Sequence, residues 1–314
     1  MPSTKNASAT QADKFRELAR ITLKHHFGNN VGRVISKSGG LSNFVFEAKN
    51  SGGEFIVRIS PDKARLNAFI KEHWCERAAR QAGIPTAEIL ETGAAVIPFP
   101  YAISRSVEGV EATNHPERNR IIGDLGRYAK QINAIRTKGF GETFDWSNNE
   151  LSRNKTLREY LEGEYRYEAR IETLERSGLA SPETMKSVKR IAREMLKIKM
   201  QPVLNHGDLR LKNVIADEAG KIVAIIDWEK ATSNIAPHWE FSVALHDLGV
   251  DDQEKFVTGY GMTPKRLAEI APFVKAFNLL NYTDKINEAL AAKDKAALEQ
   301  FRMRLSGAFD LYSI

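Results

Sequence analysis

The spacing of apolar positions changes character along the chain, and each change marks a different kind of element. From Ala12 to Phe27, residues Phe15, Leu18, Ala19, Ile21 and Leu23 recur at near-helical intervals and predict an amphipathic first helix. The small polar stretch from Met1 to Ala12 before it reads as disordered. The pattern then shortens to alternation. Arg33 to Ser36 and Asn43 to Ala48 flank a turn at Lys37-Ser38-Gly39-Gly40. A third strand runs from Glu54 to Ser60, with Arg58 set opposite an outward Val57. A helix from about Arg65 to Ala82 ends at Gly83, with Pro85 close behind.

Helical spacing returns at Asn119. Ile121, Ile122, Leu125, Tyr128, Ala129, Ile132 and Ile135 form one apolar face, and a further helix spans about Pro182 to Met200. One hairpin interrupts: Val214-Ile215-Ala216, a turn at Asp217 to Gly220, and a strand from Lys221 to Ile226. Ser242 to Ile314 reads as helices with turns near Gly249, Gly259 to Pro264 and Lys293.

Composition narrows the class. The 314 residues, 42% hydrophobic and 27% charged, suit a soluble protein long enough for two lobes. No apolar stretch approaches a membrane span and Met1 to Asp13 has no signal core, so the expectation is a cytoplasmic protein without a membrane partner. Cys75 is the only cysteine; no intrachain disulfide can form, and its place in a helix marks it as a packed apolar residue. The net charge of +6 comes from dispersed basic residues accompanied by acids, which reads best as a solvated surface and speaks against a nucleic-acid partner; a nucleotide and an anionic substrate could also gain from the positive field. Glu159, Glu162, Glu164, Glu168, Glu172 and Glu175, interleaved with Arg166 and Arg170, form either an acidic wall for a cationic substrate or a surface helix laced by pairs such as Glu162 with Arg166 and Glu172 with Arg176. The surface helix is the better reading. There are no internal repeats, Cys/His metal clusters or Gly-x-Ser-x-Gly elements.

The chemistry concentrates between Asn205 and Glu229. His206-Gly207-Asp208-Leu209-Arg210-Leu211-Lys212-Asn213 precedes the hairpin, whose apolar second strand stops at Asp227-Trp228-Glu229. Phosphoryl transfer needs an acidic group to orient the attacking hydroxyl and oxygen ligands for magnesium on the nucleotide phosphates. Asp208 suits the first role, and Asn213 with Asp227 the second, since a hairpin would return Asp227 beside Asn213. The competing reading is that these are loop-capping residues between buried strands.

In order and spacing these motifs resemble the aminoglycoside phosphotransferase and choline kinase branch of the protein-kinase-like superfamily, over about Val31 to Phe241. Gly207 stands where protein kinases have Arg, and Asp-Trp-Glu where they have Asp-Phe-Gly. The resemblance implies an α+β, two-lobed protein-kinase-like fold, with a small antiparallel sheet and leading helix in residues 1–105 and a mainly helical catalytic lobe in residues 106–314. It implies ATP, with GTP not excluded, and Mg2+ as cofactors, and the hydroxyl of a small molecule as acceptor.

By the same likeness Asp208 is the catalytic base and Asn213 and Asp227 are the metal ligands. Gly39, Gly40, Ser42 and Asn43 belong to the phosphate-covering loop. Arg58 grips the nucleotide phosphates and Glu72 orients it, with Glu76 one turn away as a competitor. Backbone groups from Ser104 to Ser106 hold the base. Arg210 either neutralises the transferred phosphoryl group or pairs with a local carboxylate. His206 is a scaffold residue beneath the loop, and Glu240 falls near the position of a loop-bracing Asp. A protein kinase is disfavoured because only Trp228 to Ile235 separate Asp227 from Ala236; a catalytically silent nucleotide-binding module would be expected to lack a residue that is present here. Choline, amino alcohols, sugars and antibiotics all stay open as acceptors, as does the oligomeric state.

Overall fold

The computed structural model describes residues 4–37, 43–142, 145, 154–246 and 248–310. The chain forms two compact units, Met1–Glu111 with Val214–Glu229, and Ala112–Asn213 with Lys230–Ile314.

The first unit opens with α1 (Thr4–Phe27). Phe15, Ala19 and Leu23, four residues apart, are all buried. The helix starts at Thr4, well before the end of the stretch expected to be disordered. Once buried side chains have nucleated a helix, adding Ala-rich turns to it costs little. It packs on a five-stranded antiparallel sheet of β1 (Arg33–Lys37), β2 (Phe44–Asn50), β3 (Gly53–Ile59), β4 (Ile89–Gly93) and β5 (Tyr101–Arg105), in the order β1-β2-β3-β5-β4. Phe15 stacks on Phe44 with ring centroids 3.9 Å apart. Phe46, Val57, Ile59 and Ile103 complete that core with the helix.

The alternation expected in β3 is there with its face inverted: Phe55, Val57 and Ile59 point inward, so Val57 is buried rather than outward and Arg58 lies on the opposite face. Between β3 and β4, the Asp62 carboxylate accepts the Ala64 N–H at 2.9 Å, and α2 (Leu66–Gln81) follows. A second sheet joins β6 (Val110–Glu111), β8 (Val214–Ala216) and β9 (Ile222–Ile225) in the order β6-β8-β9. The backbone N–H of Ile225 bonds the Pro85 carbonyl, which fastens this sheet to the segment after α2.

The second unit is mainly helical. It contains α3 (Arg118–Ile132), a single turn α4 (Leu157–Glu159) continued by a wide π turn over Tyr160–Glu164, α5 (Tyr167–Ser177) and α6 (Pro182–Met195). The strand β7 (Val203–Asn205) pairs with β10 (Thr232–Asn234). There follow α7 (His238–Ala244), α8 (Val250–Tyr260), α9 (Pro264–Asn281), α10 (Thr283–Ala292) and α11 (Lys295–Asp310). Its core is aromatic and aliphatic, with Tyr160, Tyr165, Trp239, Phe277 and Leu280 among the buried residues.

The acidic stretch is not one helix. Arg166 adopts φ 52°, and this left-handed residue takes Glu162 and Arg166 out of helical register. Arg158 pairs with Glu162 at 2.9 Å and Lys189 with Glu175 at 2.5 Å, while Arg176 turns to Asn287. The surface-pairing expectation was right in kind and wrong in partners.

Helices α3 and α8 touch backbone to backbone. A Cβ at Gly126 would fall on the Phe256 carbonyl oxygen, and one at Gly259 on the Gly123 carbonyl oxygen. Alanine at Gly126 gains about 1 kcal/mol of helix propensity but must push the helix backbones away from each other. We expect Gly126→Ala to destabilise the protein by about 2 kcal/mol net in a denaturant titration, whereas Gly123→Ala, where an added Cβ would meet only the Lys255 carbonyl oxygen at an ordinary contact distance of 4.0 Å, is neutral or stabilising.

Candidate active site

The chain leaves β7 at Asn205 and turns sharply at Gly207, which has φ 74°. A Cβ there would land on the Lys230 carbonyl oxygen, so glycine is required both for conformation and for space. His206 is buried beneath the turn, and its Nδ1 accepts the Asp208 N–H at 3.3 Å. From α7, the buried Glu240 accepts the His206 N–H at 2.6 Å. Burial pushes its carboxyl up to about 7, against the N–H groups of His206 and Gly207 and the Asn133 side chain, which favour the ion; the Asp208 charge pushes it further up. His206 and Glu240 thus lie beneath the loop, where the sequence suggested a scaffold.

Asp208 is the best-partnered carboxylate of this loop. Arg210 Nε lies 2.5 Å from Oδ1, and Lys212 Nζ lies 3.1 Å from Oδ2. The Asn213 amide nitrogen donates to the Asp208 carbonyl at 2.8 Å and to Oδ2 at 3.1 Å. Burial works to raise its pKa, but the Arg210 and Lys212 charges outweigh it and hold the carboxyl below its ordinary range. Asp208 is therefore ionised at neutral pH. The local-carboxylate alternative for Arg210 is the contact observed.

In the first unit, Arg58 Nη2 lies 2.9 Å from Glu72 Oε1, with the Phe69 ring 5.5 Å from the guanidinium carbon. Burial alone would weaken the guanidinium's hold on its proton; Glu72 first, then Asp227 and Glu229, outweigh that and keep it charged. Glu76 is no competitor: it bonds the Thr86 hydroxyl and the Ile89 N–H instead. In the second sheet Val214 pairs with Ile225, two residues before Asp227. Asp227 itself takes φ 67°, a left-handed conformation that Asp tolerates better than most residues. Two residues on, Glu229 is ion-paired to Arg65, at the entry to α2.

Gly39, Gly40 and Ser42 lie outside the described residues. Asn43 is half-buried, and its Oδ1 has no hydrogen-bond partner among the described residues. Ser104 is buried within β5, where it pairs with Ile56 and Ile89. The N–H groups of Arg105 and Ser106 go to the Glu88 and Glu54 carbonyls at 2.9 and 2.8 Å, so these two donors are spent on the sheet.

Sequence reasoning did not foresee the cavity beside Asp208, of about 590 Å3. Within the second unit, Tyr165, Arg170, Trp239, His246, Asn278 and Tyr282 contribute to its walls. These come from α5, α7, α9 and the residues beside them, and no periodicity in one helix reveals which residues meet across several.

Each of the two residues expected to be metal ligands offers an oxygen donor of the kind a hard cation such as magnesium takes. With its NH2 group turned to Asp208, the Asn213 amide keeps its carbonyl oxygen as a donor atom in the second unit, and Asp227 carries a carboxylate in the first. Among the described residues no group of three or more His, Cys, Asp and Glu could hold an ion unaided.

Comparison with known proteins now adds to this geometry. A family model described as "Phosphotransferase enzyme family" matches residues 34–273. No curated protein matches the sequence. Among solved structures, aminoglycoside phosphotransferase APH(4)-Ia, as a thermostable mutant in ternary complex with ADP and hygromycin B, is similar with TM-score 0.68 and 19% identity, over 94% of this chain and 99% of that one. A putative aminoglycoside phosphotransferase from Ralstonia eutropha gives 0.61 and 14%, over 94% and 97%. The GDP and kanamycin complex of APH(2")-IIIa gives 0.62 and 14%, over 92% and 97%. The fold is the α+β, kinase-like one that the motifs implied.

Glu240 makes stability depend on pH. Its folded pKa, about 7, lies above the ordinary 4.5. Its contribution is therefore full below pH 4.5 and is lost as pH rises through 7. Thermal midpoints of wild type and Glu240→Gln should converge near pH 4.5, and the wild type should fall relative to the variant by about pH 8. Parallel profiles would refute this assignment.

Proposed function

The chain belongs to the phosphotransferase enzyme family and is on that ground a small-molecule kinase, and we propose from this premise that it transfers the γ-phosphoryl group of ATP to a hydroxyl of a compound held in the cavity beside Asp208. The observation that carries the reading is the placement of an ionised, loop-braced Asp208 on the wall of a cavity large enough for a small molecule. Solved relatives hold ADP with hygromycin B in one case and GDP with kanamycin in another, which supports a nucleotide and a hydroxylated acceptor, with GTP as the alternative donor.

In this reading the acceptor hydroxyl donates to Asp208, whose carboxylate has lone pairs beyond those given to Arg210 and Lys212. The acceptor oxygen bonds to the γ-phosphorus, the bond from that phosphorus to the bridging oxygen breaks, and ADP leaves. The hydroxyl proton passes to Asp208. A carboxylate held at low pKa is a weak base toward an intact hydroxyl; its main work is orientation, with the proton moving late, when the oxygen has become acidic. Arg210 supplies positive charge next to the transferred group. Arg58, kept in place by Glu72, and the loop containing Gly39, Gly40, Ser42 and Asn43 hold the phosphates, while Ser104 and Ser106 border the base. Magnesium on Asn213 and Asp227 would neutralise phosphate charge. The reading places the enzyme in the cytoplasm without nucleic-acid or membrane partners; among the described residues no helix is long and apolar enough to cross a membrane.

One observation favours a second reading, a silent nucleotide-binding module: both Asp208 oxygens already face cations. Magnesium-dependent ATP consumption across a panel of hydroxyl compounds separates the two. We expect Asp208→Asn to lower kcat by about 10³-fold or more with nucleotide affinity changed less than about threefold. Arg58→Ala should do the reverse, weakening nucleotide binding by about tenfold or more through loss of a charged phosphate contact. No phosphorylated product from any acceptor, with nucleotide bound, would promote the silent module.

A further inference from the structure

Asp227 sits in a backbone conformation that depends on its surroundings. A φ of 67° is open to Asp but sparsely populated, and a residue persists there where the chain on both sides of it is fixed. Before it, β9 does this: Ile225 pairs with Val214, and its N–H bonds the Pro85 carbonyl at 2.9 Å. After it, Trp228 is 1% exposed, and its indole N–H returns to the Ile225 carbonyl at 3.1 Å. That bond closes the turn on its own strand. What ties the turn to α2 is the ion pair between Glu229 and Arg65, 164 residues apart in sequence.

Arg65 is a firm point of attachment. It is the residue at which α2 starts, and the segment leading to it is bonded down. The Ser60 N–H goes to the Pro100 carbonyl at 2.9 Å, the Asp62 N–H to the Ser60 hydroxyl at 3.2 Å and the Arg65 N–H to the Asp62 carbonyl at 3.2 Å. The pair is sheltered as well. The side chains of Arg65 and Glu229 are 25% and 33% exposed, so water and salt screen their attraction less than they do that of a surface pair. Seven residues on from Arg65, and so on the same face of the helix, Glu72 holds Arg58. One face of α2 thus fixes both the guanidinium on β3 and the turn after β9.

We propose that Arg65 and Glu229 are a positioning pair: by fastening Glu229 to the start of α2, Arg65 keeps Asp227 in the left-handed turn from which its carboxylate would bind the magnesium of a nucleotide complex. This rests on the reading of Asp227 as a metal ligand. Neither member of the pair touches metal or phosphate in this role. What they supply is the order of the turn, since a ligand already held in place loses less freedom when it binds.

Calorimetric titration of AMP-PNP into the full chain, once with magnesium and once with EDTA, gives two dissociation constants whose ratio is the gain from the metal. The expected result is that Arg65→Gln and Glu229→Gln each cut this gain by about tenfold, with the metal-free constant unchanged, and that the double variant loses no more than either alone. Asp227→Asn, which removes the ligand itself, should lose at least as much. Arg65→Lys keeps the charge without the planar fork and should fall between Arg65→Gln and the wild type. Where circular dichroism shows that Arg65→Gln does not fold, Arg65→Lys decides by the same ratio.

A gain kept in both single variants overturns the proposal, and its loss in Asp227→Asn would then leave the reading of Asp227 standing. Equal weakening with and without magnesium in Arg65→Gln also overturns it, and assigns to the phosphates a guanidinium whose buried Nε has no hydrogen-bond partner among the described residues. A gain lost in Glu229→Gln but kept in Arg65→Gln overturns it by making Glu229 a metal ligand in its own right, and losses that add in the double variant break the pairing. No gain in the wild type removes the reading of Asp227 and the proposal together.

Discussion

A carboxylate buried on α7 braces the loop from His206 to Asn213. Glu240 reaches the N–H of His206 from beneath, and Gly207 fits only because it has no side chain to press on Lys230. With these two residues fixed, Asp208 follows at the position where its own N–H meets the His206 ring. Asn213 then folds its amide back on Asp208. The charged chemistry of the loop is thus built on a contact that stands outside it. A buried acid is a costly brace, as its raised pKa shows, and its two attractions to backbone N–H groups are what make that cost tolerable.

The loop motif was legible in the sequence because it is local: Asp208, Arg210 and Asn213 lie within six residues of one another, and short segments fix such geometry. Arg58 and Glu72 were legible for another reason. A strand followed directly by a helix leaves few ways for one to face the other, and the observed ion pair is with Glu72 rather than Glu76. The face of β3 was misjudged because alternation gives a period and not a sign; only the helix lying on the sheet says which side is inside. The start of α1 was misjudged because composition cannot register a nucleus that forms farther down the chain, at Phe15.

The cavity was illegible for a deeper reason. Its walls collect residues from helices far apart in sequence, so Arg170 and Asp284 meet only after α5 and α10 have packed. An acidic stretch looks like a binding wall or a surface helix until the partners are known, and here some of its members close internal contacts. Charge composition along a chain describes the supply of ions, whereas a site depends on which of them remain uncompensated.

The second sheet carries a consequence for how the chain is made. Strand β6 ends at Glu111, but its partner β8 begins at Val214 and the unit's last segment closes at Glu229. During synthesis, the first unit therefore waits through the long stretch from Ala112 to Asn213 before its small sheet can pair. A ribosome pausing anywhere in that interval holds a nascent protein whose β6 edge has no complement, and a fragment ending at Glu111 would carry the same unmatched edge permanently.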